Sequence, residues 1–549
     1  APNVEITLNT LKMQRLGEYK QPVYIAPVAK PNLQAQDDTL SPLMEKVREF
    51  LAGSSQVMLI LGDSGAGKST YNRHLEHKLW EEYKPGDRIP LYINLPALDR
   101  PDKELVEEQL KAYDFSDDQI HELKLHRQFT LICDGYDESQ LTSNLHTANF
   151  LNQPGKWDTK LLITCRSQYL GLDYQDRFVP KAADRYNLNV HDLFMEAAIT
   201  PFSKEQIEDY VERYVPLEPR TWVKEDYMDK LETIPNLMDL VTNPFLLKLA
   251  LEALPSVVQG RTDLSRLRFT RAQLYDNFAL HWLAVNKRRL WDQKLGEVKS
   301  VAFEQLLDAG FEQYVIKFQQ DLADAIFREQ DGRPIVNYIS KRDNTTWKAT
   351  FFSVDPEIAI LQEASLLSRA GTQFRFVHRS IQEYFYSRTI CGPPDQSDEF
   401  GPHFHSDTRD IGNHPLSQRD LVPESSIIQF LVDRVRLHSD FKQHLLAFIE
   451  HSKTNEQAMR AAANAITILV KAGVRFNGAD LRGIRVSGAD LSGGEFDSAQ
   501  LQDADLTEVN LAGSWIRQAD LSKAQMEGAQ FGELPFLKED DGDSGAQRS

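Results

Sequence analysis

The chain has 549 residues, with 62 Lys and Arg against 81 Asp and Glu, a formal net charge of −19. That length implies several domains, and 41% hydrophobic with 26% charged residues is the composition of a folded protein, which excludes collagen, coiled coil and pervasive disorder. The excess of acids argues against nucleic acid as a partner, since phosphate contacts need clustered Lys and Arg, and against adsorption to an anionic membrane.

Residues 1–45 are polar, with Pro22, Pro27 and Pro31, and read as an extended lead-in. Over 46–202 short apolar runs alternate with amphipathic stretches. Val57–Leu61, Pro90–Asn94, Phe129–Cys133 and Leu161–Thr164 predict strands, and Lys68–Tyr83 and Lys103–Tyr113 predict helices. This alternation implies a parallel, doubly wound α/β sheet. Ser203 and Gln206 form a capping box, and Ile207, Tyr210, Val211 and Tyr214 follow at helical spacing. A helical subdomain is expected over 203–269, and helical patterning with few strand candidates continues over 270–392. The stretch 393–472 reads as a loop followed by a helical connector, and 537–549 as an acidic, disordered tail. No run approaches the ~18 apolar residues of a membrane span, and no signal peptide opens the chain. The cysteines, Cys133, Cys165 and Cys391, form no CxxC pair, which fits buried thiols in a reducing, cytoplasmic setting.

Over 473–536 the period changes to five. Large apolar residues occupy Phe476, Leu481, Val486, Leu491, Phe496, Leu501, Leu506, Leu511, Ile516, Leu521, Met526 and Phe531, twelve in succession. A small or apolar residue precedes each by two. Neither a helix nor a flat strand has this period, whereas a coil with five-residue sides does. The segment resembles the pentapeptide-repeat family, which implies a right-handed quadrilateral β-helix and a surface for protein partners.

The strongest chemical motif is Gly62-Asp-Ser64-Gly65-Ala66-Gly67-Lys68-Ser69-Thr70, between an apolar strand and a helix. Glycines let backbone N–H groups wrap a phosphate, and the helix N-terminus adds positive potential. Lys68 is expected to reach the β- and γ-phosphates, Ser69 to ligate Mg²⁺ and Thr70 to touch the α-phosphate. Asp134, ending the strand Phe129–Cys133, is expected to hold Mg²⁺ directly or through water. Asp137 and Glu138 could orient or deprotonate a hydrolytic water. Arg166, after the strand Leu161–Thr164, would sense the γ-phosphate at the carboxyl edge of the sheet, or form a plain ion pair.

The segment Asp134-Gly-Tyr-Asp137-Glu138 resembles the NACHT subclass of STAND nucleoside triphosphatases. Further segments follow in the expected order: Ile199–Ser203, Thr242–Leu247, Thr270–Tyr275 and Phe376–Phe385. The resemblance implies a P-loop core followed by all-α helical and winged-helix domains. It also implies that Pro244 contacts the base, His378 the β-phosphate of ADP, and Tyr24 and Ile25 the base pocket. Read alone, Pro244 also fits a first-turn helix proline and His378 a core histidine. The family reading is an ATP/ADP switch with Mg²⁺, slow hydrolysis and nucleotide-dependent homo-oligomerisation, in signalling of an innate-immunity or self/non-self type. A non-signalling scaffold with nucleotide as structural ligand, and a GTP-specific enzyme, are the alternatives. Relatives carry an effector before the core and often a propeller after it, so protein partners through missing flanking domains are also expected.

Overall fold

The computed structural model describes residues 4–36, 39–139, 141–167, 170, 174–181, 190–217, 222–235, 237–258, 270–292, 295, 297–391 and 408–532. The acidic tail and much of the loop after Cys391 lie outside them. The chain divides into two compact units, residues 1–383 and 384–549.

The first unit is built on a seven-stranded sheet. Its strands are β1 (Val28–Lys30), β2 (Ser41–Pro42), β3 (Val57–Gly62), β4 (Ile89–Asn94), β5 (Gln128–Asp134), β6 (Asp158–Arg166) and β7 (Phe194–Ile199), in the order β2-β1-β7-β3-β6-β5-β4. The five strands from β7 to β4 are parallel, and β1 and β2 extend the sheet antiparallel. All six residues of β3 are buried. Such a strand, covered on both faces, reads as a continuous apolar run rather than an alternation. Two core clusters lie on the sheet, one holding Leu59, Leu61 and Trp80, the other Met58, Ile60 and Tyr71. Register does the positioning. Gly62 pairs with Arg166, and Asn94 with Asp134, so Asp134 and Arg166 both end their strands at the carboxyl edge.

Two parts of the sequence reading are corrected. The lead-in read as extended contains a 15-residue helix, Val4–Glu18, whose Val4, Leu8 and Leu11 enter the first core cluster. Its apolar stripe is narrow, with Ile6 65% and Met13 70% exposed, so the pattern is weak in sequence. The sheet is also mixed, because β1 and β2 join it antiparallel; neither they nor β7 are among the expected strands, and the first two have three residues and two, too few to show a period.

Beyond β7 the unit is mainly helical. Ser203 caps the helix Lys204–Tyr214, accepting from the Gln206 N–H, while Gln206 accepts from the Ser203 N–H and donates to the Ala26 carbonyl. Helices Pro244–Val258, Arg271–Asp292, Glu297–Ala309 and Phe311–Gln330 follow. A small antiparallel sheet, β8 (Val336–Asn337), β9 (Leu367–Ala370) and β10 (Gln373–Phe376), has the order β8-β10-β9.

The second unit contains helices Ser425–Leu437, Ser439–Ser452 and Met459–Lys471. The five-residue periodicity then governs the chain. Parallel bridges join residues twenty apart, from Asp480 with Gln500 to Asn510 with Gln530. Phe476, Leu481, Val486, Leu491, Phe496, Leu501, Leu506 and Leu511 are buried, as are Ile484, Ala489, Ala499, Ala504 and Val509. Phe476 and Phe496 stack at 5.4 Å. The helix side supplies acceptors for free edge amides: Ser452 Oγ accepts from the Arg485 N–H and Thr467 Oγ1 from the Asp490 N–H. Among the described residues no helix is long and apolar enough to cross a membrane. Cys133, Cys165 and Cys391 are free and buried.

Candidate functional site

The loop after β3 turns on Gly65 and Gly67, both at positive φ, and delivers the chain into the helix Lys68–Glu82. A side chain at Gly65 would meet Asn243 Oδ1 at 2.6 Å, so the loop is closely covered there. Lys68 Nζ donates to the carbonyls of Gly62 at 2.7 Å and Asp63 at 2.9 Å. Burial pushes its pKa below the ordinary lysine value, against the pull of Asp137.

A cavity of about 370 Å³ opens over this loop. Every binding or catalytic residue expected from sequence lines it except Gly62: Ser64 to Thr70, Asp134, Asp137, Glu138, Arg166, Pro244, His378, Tyr24 and Ile25. Gly62 ends β3 behind the loop, and its carbonyl holds Lys68. Pro244 meets both readings, as the first residue of its helix and as part of the cavity wall. Tyr24 has one ring face stacked on His74 at 3.8 Å, and its carbonyl accepts from Arg213.

The acids differ in what they hold. Asp134 accepts from Asn72 at 2.8 Å, Thr164 at 2.7 Å and Tyr92 at 3.0 Å, tying the P-loop helix to β4 and β6. Asp137 accepts from the Arg166 N–H at 3.0 Å and pairs with its Nε at 3.1 Å. Arg166 Nη1 also meets Glu383 Oε1 at 2.7 Å, where Glu383 is 1% exposed. Glu138 lies further off, 3.9 Å from Arg166. Burial and neighbouring Asp137 raise the Glu138 pKa. Burial alone would raise Glu383 as well, but Arg166 and Arg379 outweigh it and hold that carboxyl low. Arg166 thus forms an ion pair, as the plainer reading expected, but with three carboxylates rather than at the surface.

Two segments from the helical region reach the loop. Asn243 Nδ2 donates to the Ser64 carbonyl at 2.7 Å, and the Phe245 N–H to the Gly65 carbonyl at 3.2 Å. Phe245 stacks on His378 at 3.9 Å and 18°. Burial, reinforced by Arg166, lowers the His378 pKa to about 3, so the ring is neutral. Asn72, Tyr92, Thr164, Asn243, Phe245 and Glu383 escaped the sequence reading. Asn243, Phe245 and Glu383 sit inside segments it marked, yet nothing in those segments names a partner more than a hundred residues away.

The geometry fits a nucleotide with a cation. Ser64 lines the cavity, and its Oγ is buried with no hydrogen-bond partner in the protein. Ser69 and Asp134 line the cavity together and supply hard oxygen donors. Among the described residues no group of three or more His, Cys, Asp or Glu could hold a metal.

Fold and site define an α/β P-loop core. Residues 56–218 match the family model of the NACHT domain. Residues 472–507 and 504–533 match the model of pentapeptide repeats. The chain therefore carries a NACHT domain, a nucleotide-binding P-loop module, and a pentapeptide-repeat segment. Among solved structures it is similar to a signal transduction ATPase with numerous domains (STAND) protein with a tetratricopeptide repeat sensor from Pyrococcus horikoshii, with 9% identity and a TM-score of 0.27. That alignment covers 83% of this chain and 56% of the other. No curated protein sequence matches this chain.

Proposed function

We propose that the protein is a STAND-type switch that binds ATP or ADP and couples the nucleotide to the arrangement of its helical region. The observation that carries this reading is the docking of that region on the phosphate loop itself, through the bonds of Asn243 and Phe245 to Ser64 and Gly65. A ligand in the cavity touches both the core and the segments that cover it. It can therefore bias their arrangement if it prefers one state.

In this reading the loop amides, Ser64 and Lys68 hold the phosphates, Ser69 and Asp134 hold Mg²⁺, and Tyr24, Ile25 and Pro244 border the base. The cation would supply charge neutralisation for the phosphates. His378 donates to the terminal phosphate of a diphosphate. A third phosphate competes with Glu383 for Arg166, loosening the helical region. Glu138 accepts the proton of an attacking water in a slow hydrolysis that resets the state. We read the sheet β8–β10 with its helices as the winged-helix element, and the five-residue repeats as a right-handed quadrilateral β-helix that binds protein partners.

The test has two parts. Nucleotide extracted from the purified chain should be adenine nucleotide, and guanine nucleotide would reassign the base. Protein loaded with ATP should differ from ADP-loaded protein in mass or shape by light scattering. Identical particles would defeat the switch and leave a scaffold that uses nucleotide structurally.

A further inference from the structure

We infer that Ser380 and Tyr275 are positioning residues that fix the imidazole of His378 in one tautomer and orientation, so that it meets a bound phosphate as an uncharged hydrogen-bond donor. The inference rests on the switch reading for the phosphate, and on the following geometry for the rest.

His378 Nδ1 lies 3.1 Å from the Ser380 backbone N–H and 2.5 Å from the Ser380 hydroxyl. The Tyr275 hydroxyl donates to Ser380 Oγ at 2.7 Å. With Oγ accepting from Tyr275, the Ser380 proton is free to turn to His378. Nδ1 then receives two hydrogen bonds and cannot carry a proton of its own, so a neutral ring must hold its proton on Nε2. Tyr275 and Ser380 are each 1% exposed, so no water competes for these bonds. Phe245 covers one face of the ring and blocks rotation. His378 lines the cavity over the phosphate loop.

This arrangement has a chemical reason. The cavity is already lined by four basic side chains, Lys68, Arg73, Arg166 and Lys248. A charged imidazole beside them would add repulsion, and burial with Arg166 nearby opposes that charge. A neutral Nε2–H donor instead recognises phosphate by position, without changing the cavity's charge. The plainer role, in which Nδ1 only caps the helix Arg379–Ile390, needs the Ser380 N–H but neither the hydroxyl nor Tyr275.

The experiment uses the full chain. ADP affinity is measured by calorimetry for wild type, Lys68→Ala, His378→Ala, Ser380→Ala, Ser380→Thr and Tyr275→Phe. In parallel, ¹⁵N spectra of histidine-labelled protein report the tautomer of His378, assigned by comparison with His378→Gln. Wild type should show a protonated Nε2 and a bare Nδ1. Ser380→Ala should raise the ADP dissociation constant about tenfold, as expected for one lost hydrogen bond to a charged group. Tyr275→Phe should raise it about threefold, both variants should mix the two tautomers, and Ser380→Thr should restore wild-type behaviour. A wild-type Nδ1–H signal overturns the proposal, and that measurement stands even if a variant fails to fold. Unchanged ADP affinity in His378→Ala, or in Ser380→Ala with a loss in His378→Ala, overturns it too while Lys68→Ala still abolishes binding. Wild-type binding by Lys68→Ala defeats the nucleotide-site reading itself.

Discussion

Asp137 and Glu138 are adjacent acids that the chain puts to different uses. Asp137 gives one oxygen to the Arg166 N–H and the other to its guanidinium, whereas Glu138 stands 3.9 Å away with a raised pKa. A carboxylate held by two donors is a poor base, and a half-buried one with a raised pKa is a better one. Glu138→Gln should therefore keep nucleotide affinity and cut phosphate release by about a hundredfold or more. Asp137→Asn should instead lower thermal stability, as measured by melting. A second residue sets a pH limit. Burial lowers His146 from 6.5 to about 4, with Gln56 at 3.0 Å from its Nε2. The unfolded chain takes up that proton first, so the contribution is complete above pH 6.5 and fades as the pH falls towards 4. Denaturant unfolding should lose about 2 kcal/mol from this residue between pH 7 and pH 5. A His146→Gln chain with the same pH slope would refute the assignment.

Among elements, the capping box at Ser203 was legible because its chemistry is local, and it forms as read. Ser203→Ala should cost about 1 kcal/mol in unfolding free energy. The link from Gln206 to the Ala26 carbonyl was not legible, since it joins segments 180 residues apart. The repeats show a similar division. Their inward residues announce themselves every five positions. The backbone of the turns between them does not: Gly483 and Gly493 turn at positive φ, but so do Ser498, Asp503, Glu508, Gln518 and Lys523. A non-glycine residue there costs about 1–2 kcal/mol. Lys523→Gly should thus raise the stability of the second unit by up to about 1 kcal/mol, after the entropy glycine adds to the unfolded chain. A lower melting temperature would count against this.

For the molecule as a whole, binding and stability are linked through the cavity. A ligand that binds only the folded state stabilises it by about 2.7 kcal/mol at a hundred times its dissociation constant. ADP with Mg²⁺ should therefore raise the melting temperature of the wild-type chain, and Lys68→Ala should abolish the shift. A shift that survives in Lys68→Ala would place the nucleotide elsewhere. The opposing charges around Arg166 give a second measure. Removing one partner of a buried pair leaves the rest uncompensated, so Glu383→Gln should cost about 3 kcal/mol in the absence of nucleotide. A melting curve like wild type would show that Asp137 and Glu138 suffice.

By itself the sequence determined the P-loop, the acid at the end of β5 and the five-residue repeat period. Each is a local pattern whose chemistry depends on residues a few positions apart. The tertiary structure decided which carboxylates Arg166 engages, that Phe245 covers a face of His378, and how a helix in the lead-in joins the core. Those facts depend on strand register and on contacts between segments far apart in the chain. There a single side chain gains its role only from the partner that packing brings to it.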